Sequence, residues 1–252
     1  MNPLMAHRVD TEGNARGRRF MRLEWNPNEA RRANPQHWSQ IQHVLSELIP
    51  GFDIEYVLEH AVITRIDLAF DLHGQHVNGI QVFSLLRRAH SGRYEHGPLG
   101  VTNSIEIGRY GGDRYLLVYD KRLQLGSALI GRFTRAARTS NLVRRTRPWT
   151  RFEVRLKDVG SFAELDALSN PFAGYTVSTI GQMGESVSGY VEGWFLDACR
   201  YRGIQAALST IPNQRTRTRY ASLVRKLEPP EWWSPEALWS EMPVAVADIF
   251  DR

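Results

Sequence analysis

Side chains that could do chemistry are concentrated in the segment Ile63-Thr64-Arg65-Ile66-Asp67-Leu68-Ala69-Phe70-Asp71-Leu72. Side chains alternate between the two faces of a strand. Thr64, Ile66, Leu68, Phe70 and Leu72 form one face, apolar enough for a core. The other face carries Arg65, Asp67 and Asp71 among Ile63 and Ala69. A half-buried strand with a solvated face accounts for this pattern without any function. Two carboxylates four residues apart can also hold a hard cation or serve a nucleophile.

Two later segments supply what such a reaction needs. Tyr119-Asp120-Lys121 puts a phenol and an ammonium two residues apart, on one face if the segment is a strand. A tyrosine with its ordinary pKa of about 10 is a poor nucleophile, and a nearby cation stabilises the phenolate. Lys121 is expected to do so. Arg151-Phe152-Glu153-Val154-Arg155 again alternates charged and apolar residues. Asp67, Asp71 and Glu153 are a candidate ligand set for Mg²⁺ or Mn²⁺. Arg65, Arg151 and Arg155 are candidates to hold phosphate or the charge of a phosphorane-like transition state, the alternative for some of them being only to pair with the carboxylates. Together these parts describe attack of a tyrosine on a DNA phosphodiester. Each has a plainer reading: Tyr119 as a packing residue of a strand, Arg151 and Glu153 as rungs of an ion-pair ladder. Tyr115 shares the strand parity of Tyr119 and Tyr110 lies close by, so the choice of nucleophile stays open among them.

The composition is compatible with this chemistry. The chain has 252 residues, a formal charge of +5 and a pI near 9.5, with arginine supplying most of the excess. Arginine forks onto phosphates and stacks on bases, so nucleic acid is the expected partner class. The single cysteine, Cys199, excludes an intrachain disulfide and a cysteine-based zinc site, and it fits a reducing cytosol. No run is long and apolar enough for a membrane span. Residues 1–19 are polar, lack the apolar core of a signal peptide and are expected to be flexible.

The elements that must position these residues follow in order. Residues 20–25 suit a short strand. Gln36–Leu48 has the spacing of an amphipathic helix. After the 62–72 strand, Asn78 is expected to cap a helix running to His90. A hairpin follows, 103–109 and 114–121, around Gly111-Gly112-Asp113. Residues 127–147 read as a basic helix or loop, and Trp149–Lys157 as a strand. Short and long helices are expected at 161–168 and 185–202, then a basic segment at 214–226. The order strand, helix, strand, strand, basic segment, strand predicts an α+β fold. Specifically, it predicts a ferredoxin-like or RRM-like antiparallel sheet with helices on one face and a helical C-terminal region. In that topology the 62–72 strand is central, flanked by 114–121 and 149–157, and Asp67, Asp71 and Glu153 converge. The expected division is a flexible 1–19, a core at 20–160 and a helical region at 161–252.

Arg-Ile-Asp-Leu-Ala-Phe-Asp at 65–71, Ser-Ile-Glu-Ile-Gly-Arg at 104–109 with Arg-Tyr-Leu-Leu-Val-Tyr-Asp-Lys at 114–121, and Trp-Thr-Arg-Phe-Glu-Val-Arg-Leu-Lys at 149–157 come in this order. In this they resemble the replication initiation factor family, rolling-circle initiators of small plasmids and filamentous phages. The resemblance covers about residues 62–158. It implies a nicking and joining enzyme acting at a double-stranded origin, a tyrosine linked to a DNA 5′-phosphate, and a divalent metal held by acidic residues. It implies Tyr119 as nucleophile, with Asp67, Asp71 and Glu153 as metal or acid/base residues. The first 60 residues and the Trp-rich tail match nothing in that pattern.

Other features weigh less. His73-Gly-Gln-His76 lies in a turn and does not set two imidazoles on one strand face, so at most one of them is an auxiliary ligand. Arg132, Arg135, Arg138, Arg144, Arg145 and Arg147, with Arg215, Arg217 and Arg219, are candidate phosphate contacts. Solvated helix faces are the plain alternative. The expected function is rolling-circle replication initiation in a bacterial cytoplasm. The expected partner is origin DNA, with a host helicase or polymerase and a second copy of the chain as candidates and no membrane. Two rivals stand beside it: a non-catalytic nucleic-acid-binding module on an RRM-like sheet, and a metal-dependent nuclease without a covalent intermediate.

Overall fold

The computed structural model describes residues 10–13, 19–22, 24, 26, 36–84, 92–97, 101–110, 112–130, 146–186 and 191–249. The chain divides into two compact units, residues 1–60 with 241–252, and residues 61–240. The cuts fall at 60/61 and 240/241, where the sequence suggested 19/20 and 160/161.

In the smaller unit, β1 (Asp10–Gly13) pairs antiparallel with β2 (Arg19–Arg22). Residues 10–13 and 19, within the segment expected to be flexible, belong to this strand pair. α1 (His37–Leu48) buries Trp38, Ile41 and Leu45, which lie at i, i+3 and i+7 on one face. α2 (Ile54–His60) starts where the Asp53 carboxylate accepts from the Glu55 amide at 2.9 Å.

The larger unit is built on a five-stranded antiparallel sheet, and the α+β class with C-terminal helices is as expected. Its strands are β3 (Val62–His73), β5 (Gly92–His96), β6 (Thr102–Ile107), β7 (Arg114–Asp120) and β8 (Trp149–Ser161), in the spatial order β3-β8-β7-β6-β5. β4 (Ile80–Ser84) and β9 (Tyr175–Thr179) form a separate ribbon. Helices α3 (Lys121–Ile130), α4 (Ile180–Ser186), α5 (Val191–Arg202), α6 (Ile204–Ser209), α7 (Gln214–Arg225) and α8 (Pro235–Ser240) follow in the same unit. α9 (Met242–Ile249) belongs to the smaller one. Among the described residues no helix is long and apolar enough to cross a membrane.

Three expectations change. The 62–72 strand is not central: among the described residues its one sheet partner is β8, which runs between it and β7. The helix expected over 78–90 is, as far as residue 84, a single 3₁₀ turn followed by β4; residues 85–91 lie outside the described residues. Ile80 and Val82 face the sheet core, and Gln81 and Phe83 face the opposite way, so a period of two overrides the helical spacing of the same apolar residues. The second hairpin strand ends at Asp120, and Lys121 opens α3 rather than sharing a strand face with Tyr119.

The apolar sheet face is built from Ile105, Leu116, Val118, Phe152, Val154 and Leu156, with Leu68 and Phe70 from β3. It is covered by the β4–β9 ribbon, by Phe172, and by Trp232 and Trp233 of the tail, which fold back onto it. Phe152, fully buried, stacks on Phe70 at 4.7 Å and 8°.

Candidate active site

Strand register brings the expected residues onto the opposite face. Across β3 and β8, Asp67 stands opposite Arg155, Ala69 opposite Glu153, and Asp71 opposite Arg151. Across β8 and β7, Arg155 stands opposite Tyr115, Glu153 opposite Leu117, and Arg151 opposite Tyr119. Directly opposed residues of antiparallel strands share a face, so two rows run across three strands: Asp71–Arg151–Tyr119 and Asp67–Arg155–Tyr115. Glu153 lies between them.

The side chains form an alternating network. Arg151 donates to both oxygens of Asp71, Nε to Oδ1 at 2.7 Å and Nη2 to Oδ2 at 2.6 Å. Asp67 accepts from Arg65 Nε at 2.8 Å and from Arg155 Nε at 3.2 Å. Arg155 also donates to Glu153 Oε1 at 3.3 Å. Tyr119 Oη donates toward Glu153 Oε2 at 3.4 Å and Gln124 Oε1 at 3.2 Å. Lys121 Nζ bonds the same Gln124 oxygen and lies 5.7 Å from the Tyr119 ring centre. Arg155 also leans on two rings, 5.7 Å from Tyr110 and 5.8 Å from Tyr115.

These contacts set the protonation states. Burial opposes ionisation of Asp67 and Asp71, but the hydrogen bonds and charge of Arg65 and Arg155, and of Arg151, prevail and hold both below the ordinary value of 3.8. Tyr119 goes the other way. Burial, then the Glu153 charge, push its phenol up to about 12 against the pull of Arg151. The expectation that Lys121 depresses this pKa is thus corrected: desolvation and a facing carboxylate prevail, and the cation that pulls against them is Arg151. Tyr115 is likewise raised, by burial and by Glu106. Tyr110 is the exposed member of the three tyrosines, at 75%.

The expected metal ligands do not converge. Asp67 and Asp71 are each engaged by arginines on either side of Glu153. Among the described residues no group of three or more His, Cys, Asp or Glu side chains is placed to hold a metal ion. As arranged, the set does not fit a carboxylate-lined Mg²⁺ or Mn²⁺ site, which needs several oxygens aimed at one point.

A second cluster supports the site from behind. Asp120, buried next to Tyr119 in sequence, accepts from Arg122 Nε at 3.0 Å and Nη2 at 2.6 Å, and pairs with His76 Nε2 at 3.3 Å. The His76 Nδ1 accepts from the Asn78 amide at 3.2 Å. Burial opposes ionisation of Asp120, yet His76 and Arg122 drive its pKa far below the carboxylate range. Asp67, Asp71 and Asp120 thus have folded pKa values below their unfolded ones. Their stabilisation is complete above about pH 4 and is lost as the pH falls through the folded values. The thermal midpoint is expected to drop below pH 4, and Asp120→Asn, monitored by circular dichroism, to cost about 1–3 kcal/mol at pH 7 by leaving a buried guanidinium without its charge partner.

The remaining expected residues are scattered. Arg147 is exposed just before β8. Arg132, Arg135, Arg138, Arg144 and Arg145 lie outside the described residues. Arg215 and Arg219 are exposed on α7. Arg217, expected as a phosphate contact, instead donates to the Ile211 carbonyl at 2.8 and 3.1 Å and fixes the turn before α7. Sequence reasoning missed Gln124, since its position depends on α3 starting at Lys121. It also missed the His76–Asp120 pair, whose partners are far apart in the chain.

Compared with known proteins, the chain matches no family model and no curated protein.

Proposed function

We propose that this chain is a DNA strand-nicking and rejoining enzyme of the rolling-circle initiation type, with Tyr119 as the nucleophile. The observation that carries the reading is the placing of Tyr119 Oη within 3.4 Å of Glu153, beside Arg151, on one sheet face. The phenolic oxygen attacks phosphorus, Glu153 takes its proton, and the P–O3′ bond breaks. The proton then passes to the departing 3′-oxygen, leaving the 5′-phosphate on Tyr119. Arg151 faces the phosphate and stabilises the charge that grows on its oxygens. Arg65 and Arg155 bind flanking phosphates, and Lys121 holds Gln124 against the phenol. The resemblance to initiators brings Mg²⁺ or Mn²⁺ with it, but Asp67 and Asp71 do not fit a metal site as arranged, and no step here runs through one. The reading makes origin DNA the partner and a bacterial cytoplasm the location.

A second reading is a non-catalytic binding module, favoured by the burial of Tyr119, which is 8% exposed. One experiment separates the two. Purified protein is incubated with a supercoiled plasmid carrying the gene's flanking DNA, and with its end-labelled strands, with and without Mg²⁺ or Mn²⁺, and run on a denaturing gel. A protein–DNA adduct on the 5′ side of the nick, abolished in Tyr119→Phe, is expected. An adduct that persists in Tyr119→Phe sinks the assignment of this tyrosine. Binding without nicking or adduct supports the module.

A further inference from the structure

Helices α5, α6 and α7 close around one apolar cluster. Phe195 and Cys199 of α5, Ala207 and Leu208 of α6, Ile211 of the turn, and Tyr220 and Val224 of α7 are all buried in it. Phe195 and Tyr220 stack at 4.9 Å and 16°. Four residues, Thr210–Asn213, join α6 to α7, and each end of this turn is fixed. Thr210 Oγ1 donates to the Ala207 carbonyl at 2.6 Å, Asn213 Oδ1 accepts from the Thr216 amide at 3.0 Å as the α7 cap, and Arg217 holds Ile211. Gly203, at φ +78°, turns the chain between α5 and α6 where a Cβ would run into the Tyr94 ring. A helix, a four-residue turn and a second helix on a shared apolar core, to which Ile180 and Met183 of α4 also contribute, follow the chain order of the helix-turn-helix, whose second helix enters a DNA major groove.

The two sides of α7 are chemically distinct. Tyr220 and Val224 are buried, with Thr216, Arg217, Ala221 and Leu223 half-buried beside them. Gln214, Arg215, Thr218, Arg219, Ser222 and Arg225 are all exposed. At 3.6 residues per turn these six fall within an arc of about 140°. Residues 214–226 contain no acid and five cations. A merely solvated helix face mixes both signs at i, i+4. Here Arg215 and Arg219 stand four apart and repel, and among the described residues neither has an ion-pair partner. A polyanion relieves that repulsion. The side chains are also those that read bases: arginine is bidentate to guanine, glutamine to adenine, and threonine or serine bonds either.

We propose that α7 is a major-groove reading helix for duplex DNA. Gln214, Arg215, Thr218 and Arg219 meet base edges near its start, and Arg225 and Lys226 meet backbone phosphate at its end. This inference does not rest on Tyr119 chemistry and stands if no strand is ever cut.

The test uses the full chain in EDTA. A 40-bp duplex pool with a randomised centre is selected for binding and sequenced. The winning duplex is then compared by fluorescence anisotropy with a scrambled duplex, its single strands and the matching RNA duplex across a salt series. A consensus of a few base pairs is expected, bound at least tenfold tighter than the scrambled duplex or the other probes. Combined Gln214→Ala, Arg215→Ala and Arg219→Ala should erase that preference, about a ten- to hundredfold loss on the selected site. Arg225→Ala should weaken all duplexes alike and lower the salt slope by about 1. All four side chains are exposed, and an unchanged thermal midpoint confirms the fold. Gln214→Glu should shift the consensus at one position toward cytosine. No consensus, a consensus that survives the triple variant, or a preference for single strands or RNA would overturn the proposal. The adduct assay on Tyr119 reads the nicking reaction separately.

Discussion

Glu153→Gln is expected to slow formation of the protein–DNA adduct by about a hundred- to ten-thousandfold. The Tyr119 phenol is pushed up to about 12, so at neutral pH only about one molecule in 10⁵ is ionised. In the proposed reaction the proton must therefore leave as the oxygen attacks, and Glu153 is the carboxylate within reach, at 3.4 Å. Glutamine has the same shape and cannot accept it. The substitution also has an opposite effect: the Glu153 charge is one cause of the raised phenol pKa, so removing it should lower that pKa in an ultraviolet titration. A variant whose tyrosine ionises more easily and yet reacts more slowly is the signature of a lost base. An unchanged or faster rate would show that Glu153 only perturbs the phenol.

Phe152→Ala is expected to destabilise the larger unit by about 3–5 kcal/mol, read as a shift in a denaturant midpoint at constant slope. Phe152 is fully buried, stacked on Phe70 and tilted against Trp233 at 5.3 Å. It lies between Arg151 and Glu153, so the side chain that anchors the core also aims both site residues at the other face. If the proposed reaction holds, losing it should reduce adduct formation by more than the folded fraction alone predicts, while duplex binding through α7, which lies in the same unit, should fall only with the folded fraction. A loss under 1 kcal/mol would mean the tail tryptophans can close the gap.

How far the sequence could be read depended on what each pattern encodes. Alternation along 62–72, 114–120 and 149–157 revealed three strands and which side chains share a face, because parity is a local property. It did not reveal which strands are neighbours, since pairing is set by the chain's return path. β8 therefore came to lie between β3 and β7, and Glu153 between the two aspartates. Over 78–90 the spacing of Ile80, Val82, Phe83 and Leu86 fits two periods, and pairing with β9 settled 80–84 as a strand. The arginine forks were foreseen only in part. The charges of Arg65, Arg151 and Arg155 were plain, and Arg65 pairs with Asp67 two residues along its own strand, but the commitment of Arg155 to Asp67 and of Arg151 to Asp71, which engages those carboxylates, depends on cross-strand register. Arg217 reads as one more cation of a basic segment until the turn beneath it is seen.

The charged rungs between β3 and β8 also act as a key against misfolding. A one-residue slip is already forbidden because it turns the apolar face outward. A two-residue slip keeps every apolar side chain inside, so hydrophobicity alone does not reject it. Moved one way, such a slip would set Asp67 against Glu153 and Arg65 against Arg155; moved the other way, it would set Asp71 against Glu153. Like charges facing each other across a ladder are destabilising. The native register also sets Arg65 against Lys157, but of these pairings it alone matches each aspartate with an arginine. The charged residues of this face thereby also proofread the assembly of the sheet that carries it.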